Sequence, residues 1–204
     1  MHPRIYQEFE RICAERGTGG VVLEIGALPT DKSLLFMKSL TNATERIGIN
    51  LNGPHEYKGI KIVKGNANSM KCFEDNRFDT VLCNATLEHD KFFWRTISEI
   101  NRVTKPGGLI VIGVPGYIRF RRLEKARAIL NKLKRAPVIG NLVSNHRLDS
   151  LFTATITFQV HNAPGDFYRF SQQTLRTVFF RGVKDIDIRS IMLPPRLVGS
   201  ATKR

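Results

Sequence analysis

The middle of this sequence carries one unit that few folds can accommodate. Val81, Leu82 and Cys83 form an apolar run of the kind found in a strand buried on both faces. The run breaks at Asn84-Ala85-Thr86. Apolar side chains then recur at helical spacing, at Phe93, Ile97, Ile100 and Val103. The periodicity stops at Lys105-Pro106-Gly107-Gly108, where a cation, a proline and two glycines coincide as a helix terminator. A second apolar run follows at once, from Leu109 to Val114. Strand, helix, strand with short joints is a βαβ unit, so its strands are parallel neighbours or near-neighbours.

The flanking sequence extends this pattern. Residues 3–16 place Ile5, Phe9 and Ile12 on one helical face, and Gly17 to Gly20 end that helix. Val21 to Gly26 reads as a buried strand, in which Glu24 is costly unless it is paired. The pattern predicts a helix over Lys32 to Leu40, capped by Thr30 or Asp31. It predicts further strands over Arg46–Leu51, Ile60–Val63 and Ile186–Met192, a loop over Asn52–Lys58, and a helix capped by Ser171 and carrying Leu175, Val178 and Phe179. At 204 residues the chain is long enough for one domain with a real core. Cys13, Cys72 and Cys83 have no metal-ligand spacing, which points to a reducing compartment without a disulfide framework. With no apolar signal region and no candidate membrane span, the expected location is cytoplasmic.

The wording of the central unit is more specific than its periodicity. Phe78-Asp79-x-Val81, Leu87-Glu88-His89 and Glu99-Ile100-x-Arg102-Val103-x-Lys105-Pro106-Gly107-Gly108 resemble the middle of class I S-adenosylmethionine-dependent methyltransferases. The resemblance is to the type 11-like branch that acts on small molecules, lipids and glycans. It implies a Rossmann-like three-layer α/β sandwich, with a mostly parallel seven-stranded sheet and one antiparallel strand. Pro194 to Gly199 resembles that family's closing antiparallel strand.

The same resemblance implies a cofactor site for S-adenosylmethionine. Glu24 falls where the family carries an acid near the methionine end, and Gly26-Ala27 begins its glycine-rich loop. This chain departs there, reading Leu28-Pro29-Thr30 where further glycines are usual. Asn50, followed by Leu51, replaces the acid that meets the ribose hydroxyls. Asn66-Ala67 replaces an Asp-Ala that meets the adenine, and Asn84-Ala85 closes the fourth strand of the site. An amide offers one acceptor oxygen where a carboxylate offers two. In the alternative reading both asparagines only close turns.

Net charge is +14, which favours an anionic partner. Roughly half of that excess falls between Tyr117 and Ser150, around Arg119, Arg121, Arg122 and Lys125. Leu123, Ala126, Leu130 and Leu133 make this a basic amphipathic helix, inserted at about 117–150 in a single domain spanning 1–204. It is the expected substrate-binding segment, with peripheral membrane contact as one role. Downstream, His161-x-x-Pro164-x-Asp166-x-x-Arg169-Phe170 resembles a second pattern of the same branch.

Methyl transfer to a hydroxyl needs a proton removed, which suits histidine. His89 is the first candidate base, and His161 with Asp166 the second. Arg169 either binds substrate or pairs with Asp166. No metal site is expected. Three functions compete: transfer to an anionic small-molecule, lipid or glycan acceptor, with O-methylation favoured; transfer to RNA or another nucleic acid; and a non-catalytic binding protein on the same fold. The missing Gly-x-Gly-x-x-Gly spacing argues against a nicotinamide enzyme.

Overall fold

The computed structural model describes residues 1–117, 129, 132, 157 and 165–204. Helix α1 (Pro3–Glu15) leads into strand β1 (Gly20–Ile25). Strands β2 (Ala43–Asn50), β3 (His55–Tyr57), β4 (Ile60–Lys64) and β5 (Phe78–Asn84) follow. Then come helix α2 (Phe93–Val103), strand β6 (Thr104–Pro115), a short helical turn α3 (Gln172–Thr174), and strands β7 (Lys184–Ile191) and β8 (Arg196–Thr202). α3 runs directly into a π-helical turn at Leu175–Phe179. The strands form one sheet in the order β3-β4-β2-β1-β5-β6-β8-β7.

β4, β2, β1, β5 and β6 are mutually parallel, and β8 runs against β6. These strands with β7 are the seven expected. The eighth, β3, pairs antiparallel with β4, so two strands rather than one run against the parallel set. The expected loop over Asn52–Lys58 therefore contains a strand. Its turn is legible in hindsight: Lys58 and Gly59 have φ of 48° and 77°, the two-residue primed geometry that joins hairpin strands.

Alternation along the central strands fills two cores, one on each face of the sheet. Leu23, Val81, Cys83 and Ile112 face one core with Ile97, Ile100 and Phe179. Val22, Leu82 and Val111 face the other, with Phe9 of α1 and Leu34, Leu35 and Leu40. Each fully buried aliphatic or aromatic side chain contributes about 1.5–3 kcal/mol relative to exposure. Burial also pushes the Cys13 thiol up to about 12.

The helix expected over Lys32–Leu40 is instead two 3-10 turns, Leu34–Phe36 and Lys38–Leu40, joined by an extended Met37 at φ −60°, ψ 139°. Leu34, Leu35, Met37 and Leu40 are all buried. On one α-helix these four would spread around most of its circumference, beyond any single buried face. The broken path turns all four inward. Ser33, not Thr30 or Asp31, caps the first turn, its hydroxyl accepting from Leu35 N at 3.2 Å. Ser171 does cap α3, accepting from Thr174 N at 3.0 Å. In the turn that follows, Leu175 and Phe179 are buried and Val178 is exposed.

Candidate active site

The parallel strands end on one edge, and β1 is flanked there by β2 and β5, so successive connections leave in opposite directions. That is the switch point at which open α/β sheets bind ligands. A cleft of about 530 Å³ opens at this point, within the range of small-molecule sites. Gly26 follows β1, Asn50 ends β2 with Leu51 just beyond it, Asn66 and Ala67 follow β4, and Ala85 and His89 follow β5; all line the cleft.

Its floor is shaped by close backbone approach. Gly26 has φ +78°, and a Cβ there would lie 2.3 Å from Thr86 Oγ1. Its N–H donates to Ile49 O at 2.9 Å, tying the loop after β1 to β2. A Cβ on Gly48 would lie 2.5 Å from that of Ala27, so the loop can fold over β2 only where β2 has no side chain. Ala27 is fully buried.

Both asparagines have local work. Asn50 Oδ1 accepts from Asn52 N at 2.9 Å, and its amide nitrogen donates to Ala27 O at 2.8 Å. Asn66 Oδ1 accepts from Asn68 N at 2.9 Å, closing the same kind of side-chain turn. Neither bond uses both lone pairs, so each oxygen can still accept from a ligand.

Glu24, Ala27 and Asn84 do not line the cleft. The Glu24 carboxylate is buried and accepts from the Ser33 hydroxyl and from the backbone N–H groups of Leu34 and Leu35; burial pushes its pKa up. Asn84 directs its buried Oδ1 toward Gly113, where a Cβ would come within 2.4 Å.

Sequence reasoning overlooked Thr86, Asn68, Asp90, Lys91, Phe92 and Phe167, which line the cleft together with Ile25, Leu28, Ile49 and Gly65. Asp90 carried a readable signal, a carboxylate just before a helix: Oδ1 accepts from Phe92 N at 2.8 Å. Its Oδ2 accepts from Asn68 Nδ2 at 2.6 Å and Thr96 Oγ1 at 2.7 Å, joining the loop after β4 to α2. Phe167 carried none, because a distant segment brings it here. Phe167 N and Tyr168 N both donate to Glu88 O, and Phe170 N donates to Pro115 O.

Glu88, beside His89, is fully buried and points elsewhere. Its carboxylate meets Arg196 at 3.1 Å, and burial raises its pKa against the pull of that cation. Asp166 and Arg169 form a two-bond pair, at 2.5 and 2.7 Å, with the Asp166 side chain buried. His161, Arg119, Arg121, Arg122 and Lys125 lie outside the described residues. Among the described residues, no group of three or more His, Cys, Asp or Glu is placed to hold a metal ion. No described helix is long and apolar enough to cross a membrane.

This sheet order, and a cleft at the carboxyl edge beside β1, define the class I S-adenosylmethionine-dependent methyltransferase fold. Residues 32–112 match the family model described as a methyltransferase domain. Among solved structures, a 1,6-didemethyltoxoflavin N1-methyltransferase of Burkholderia thailandensis, holding S-adenosylhomocysteine, superposes with a TM-score of 0.60. It is 15% identical, and the match covers 97% of this chain and 77% of that one. A phosphoethanolamine N-methyltransferase of Haemonchus contortus, with bound S-adenosylmethionine, gives 0.62 at 13% identity, covering 98% and 52%. By sequence, demethylmenaquinone methyltransferase of Staphylococcus saprophyticus is 31% identical over an alignment of 103 residues that covers 46% of this chain and 44% of that one. The Staphylococcus epidermidis enzyme is 27% identical over 134 residues, 65% and 51%. The chain thus spans about half the length of the curated relatives it matches.

Proposed function

We propose that the chain is an S-adenosylmethionine-dependent methyltransferase acting on a small-molecule acceptor, with a hydroxyl as the methylated group. The observation that carries this reading is the cleft at the switch point, where four strand ends converge and His89 stands at the wall. The residues present fit the cofactor: Gly26 borders the cleft with bare backbone, and Asn50 and Asn66 each keep an acceptor lone pair. When bound, the cofactor supplies an electrophilic methyl carbon.

The chain's part is positioning, dryness and one proton. Ile25 and Ile49, both buried, give the cleft an apolar floor. His89, held on a 3-10 turn by its N–H to Thr86 O at 3.0 Å, takes the acceptor's proton as the methyl group moves. The net charge of +14 supports an anionic acceptor, whether a phosphosugar, a glycan or a lipid.

Calorimetry with S-adenosylhomocysteine tests the cofactor half of this proposal. Absence of heat at millimolar ligand, for the chain and for Asn66→Asp alike, would favour a non-catalytic binding protein. The local bonds of Asn50 and Asn66 are what support that second reading. For the chemical half, His89→Ala should lower kcat by about 10²-fold or more, with cofactor affinity nearly unchanged. Unaltered turnover would mean catalysis by positioning alone.

A further inference from the structure

Ten large apolar side chains are exposed among the described residues, and five of them crowd one place. Leu28 (57% exposed), Leu51 (65%), Phe92 (45%) and Phe167 (46%) line the cleft, and they come from four separate segments. Trp94 (50%) packs edge-on against Phe92 with ring centroids 5.7 Å apart. Exposed apolar residues scattered singly need no explanation, but a contiguous collar does.

Cations sit within the collar. Lys91 Nζ lies 5.5 Å from the Phe167 ring centroid, and Arg95 Cζ lies 5.1 Å from that of Phe92. Lys91-Phe92-Phe93-Trp94-Arg95 is thus an aromatic run bracketed by two cations, of which only Phe93 turns inward, against Phe170 and Phe179. A carboxylate stands among these cations: Asp90 accepts from Asn68, Thr96 and Phe92 N, all neutral donors, so it keeps its charge and offsets one of the two. Indole and phenyl rings mixed with Lys and Arg are the composition that settles at a lipid headgroup boundary. The overall charge of +14 adds attraction to an anionic surface.

We propose that the mouth of the cleft is a docking surface for an anionic lipid bilayer. Leu28, Leu51, Phe92, Trp94 and Phe167 enter the headgroup boundary, and Lys91 and Arg95 meet the lipid anions. The proposal deepens the methyltransferase reading, on which it rests for its consequence: the acceptor enters the cleft from the bilayer. Docking itself is measurable without turnover.

Trp94 is the sole tryptophan of the chain, so its emission reports on this surface alone. The whole chain is mixed with vesicles of phosphatidylglycerol and phosphatidylcholine, and separately with phosphatidylcholine alone. Expected are a blue shift and quenching by brominated acyl chains on the anionic vesicles, with much weaker changes on the neutral ones. Arg95→Glu should weaken anionic-vesicle binding by about tenfold while leaving S-adenosylhomocysteine affinity unchanged. An emission that stays water-like with both vesicles overturns the proposal, even where S-adenosylhomocysteine binds. Equal binding to both vesicles overturns its anionic part. A blue shift that grows with protein concentration without lipid assigns the collar to a second copy of the chain instead. Loss of S-adenosylhomocysteine binding with docking retained would remove the methyltransferase reading and leave this one standing.

Discussion

The two halves of the parallel sheet are built differently. From β5 to β6 the chain follows the ordinary βαβ plan: α2 is eleven residues long, packs through Ile97, Ile100 and Val103, and connects two long strands. From β1 to β5 no crossover contains a full helix. β1 reaches β2 through two 3-10 turns, β2 reaches β4 through the hairpin strand β3, and β4 reaches β5 through turns. The cofactor half therefore lacks the periodic helix faces that hold the other half. Single side chains staple it instead. Glu24 holds the Ser33–Leu35 turn, Asn50 holds the loop after β1, and Arg102 reaches back from α2 to the loop before β5. A region held by a few polar bonds is one that single substitutions can release.

The largest effect should come from Arg102. Its guanidinium donates to Met70 O and Phe73 O, each at 3.0 Å, to Asp75 at 2.6 Å, and to Glu99, which itself accepts from Met70 N. Arg102→Ala should cost about 3 kcal/mol in urea unfolding, because several carbonyl and carboxylate partners lose a charged donor together. It should also weaken S-adenosylhomocysteine binding, since Asn66 and Ala67 border the released loop. Arg102→Lys should recover little, lacking the planar fork. A cost under about 1 kcal/mol, the scale of one ordinary hydrogen bond, would show that the loop stands without its staple.

Glu24→Ala comes next, at roughly 2 kcal/mol, from leaving the Leu34 N–H and the Ser33 hydroxyl without their acceptor and the Leu35 N–H with Ser33 Oγ alone. If the cofactor-half loops are as dependent on staples as the geometry indicates, hydrogen exchange should quicken at residues 33–40 well before it does in α2. Uniform quickening throughout the sheet would erase the distinction between the halves.

Cofactor affinity gives a finer contrast. Asn66→Asp adds an acceptor oxygen in the cleft without breaking any hydrogen bond its amide nitrogen makes among the described residues, and should tighten S-adenosylhomocysteine by about 1 kcal/mol. Asn50→Asp should gain less, because it gives up the bond to Ala27 O and sets a carboxylate against that carbonyl. Calorimetry showing the reverse order would mean that only the β2 position meets the cofactor.

The smallest effect is a divergence with pH. The Arg102 bond holds Glu99 below the usual carboxylate range, so its stabilising contribution is present above the unfolded value, near ~4.3, and lost as pH falls through its folded pKa. Burial holds Glu24 above that range, so the folded state binds its proton more tightly and gains stability as pH falls. As pH falls from neutral toward about 4.3, amide protection in the Ser33–Leu35 turn should therefore hold or rise, and below that value it should drop in the loop around Met70–Asp75. Parallel loss in both would remove Glu24 from its assigned role.

These contrasts mark what the sequence by itself determined. The βαβ unit from β5 to β6 and the buried strands on either side of it are set by period-2 and period-3.6 patterns and by terminators such as Lys105-Pro106-Gly107-Gly108. Each acts within a few residues, so a linear reading recovers them. The cleft residues at strand ends, Gly26, Asn50, Leu51, Asn66, Ala67, Ala85 and His89, are named through the family resemblance, and the strand pattern only locates the ends at which they stand.

Tertiary structure alone decided the rest. Lys32 to Leu40 reads as a helix, but the sheet buries Leu34, Leu35, Met37 and Leu40 together, and only a broken path can turn all four inward. Glu24 could be costed from the sequence but not paired; its partners lie nine or more residues away across the face of β1. Phe167 reaches the cleft only because Glu88 O accepts its N–H from a segment far along the chain. Contacts of that range leave no period in the sequence. They are chosen by which surfaces the folded sheet brings together, after the local patterns have formed it.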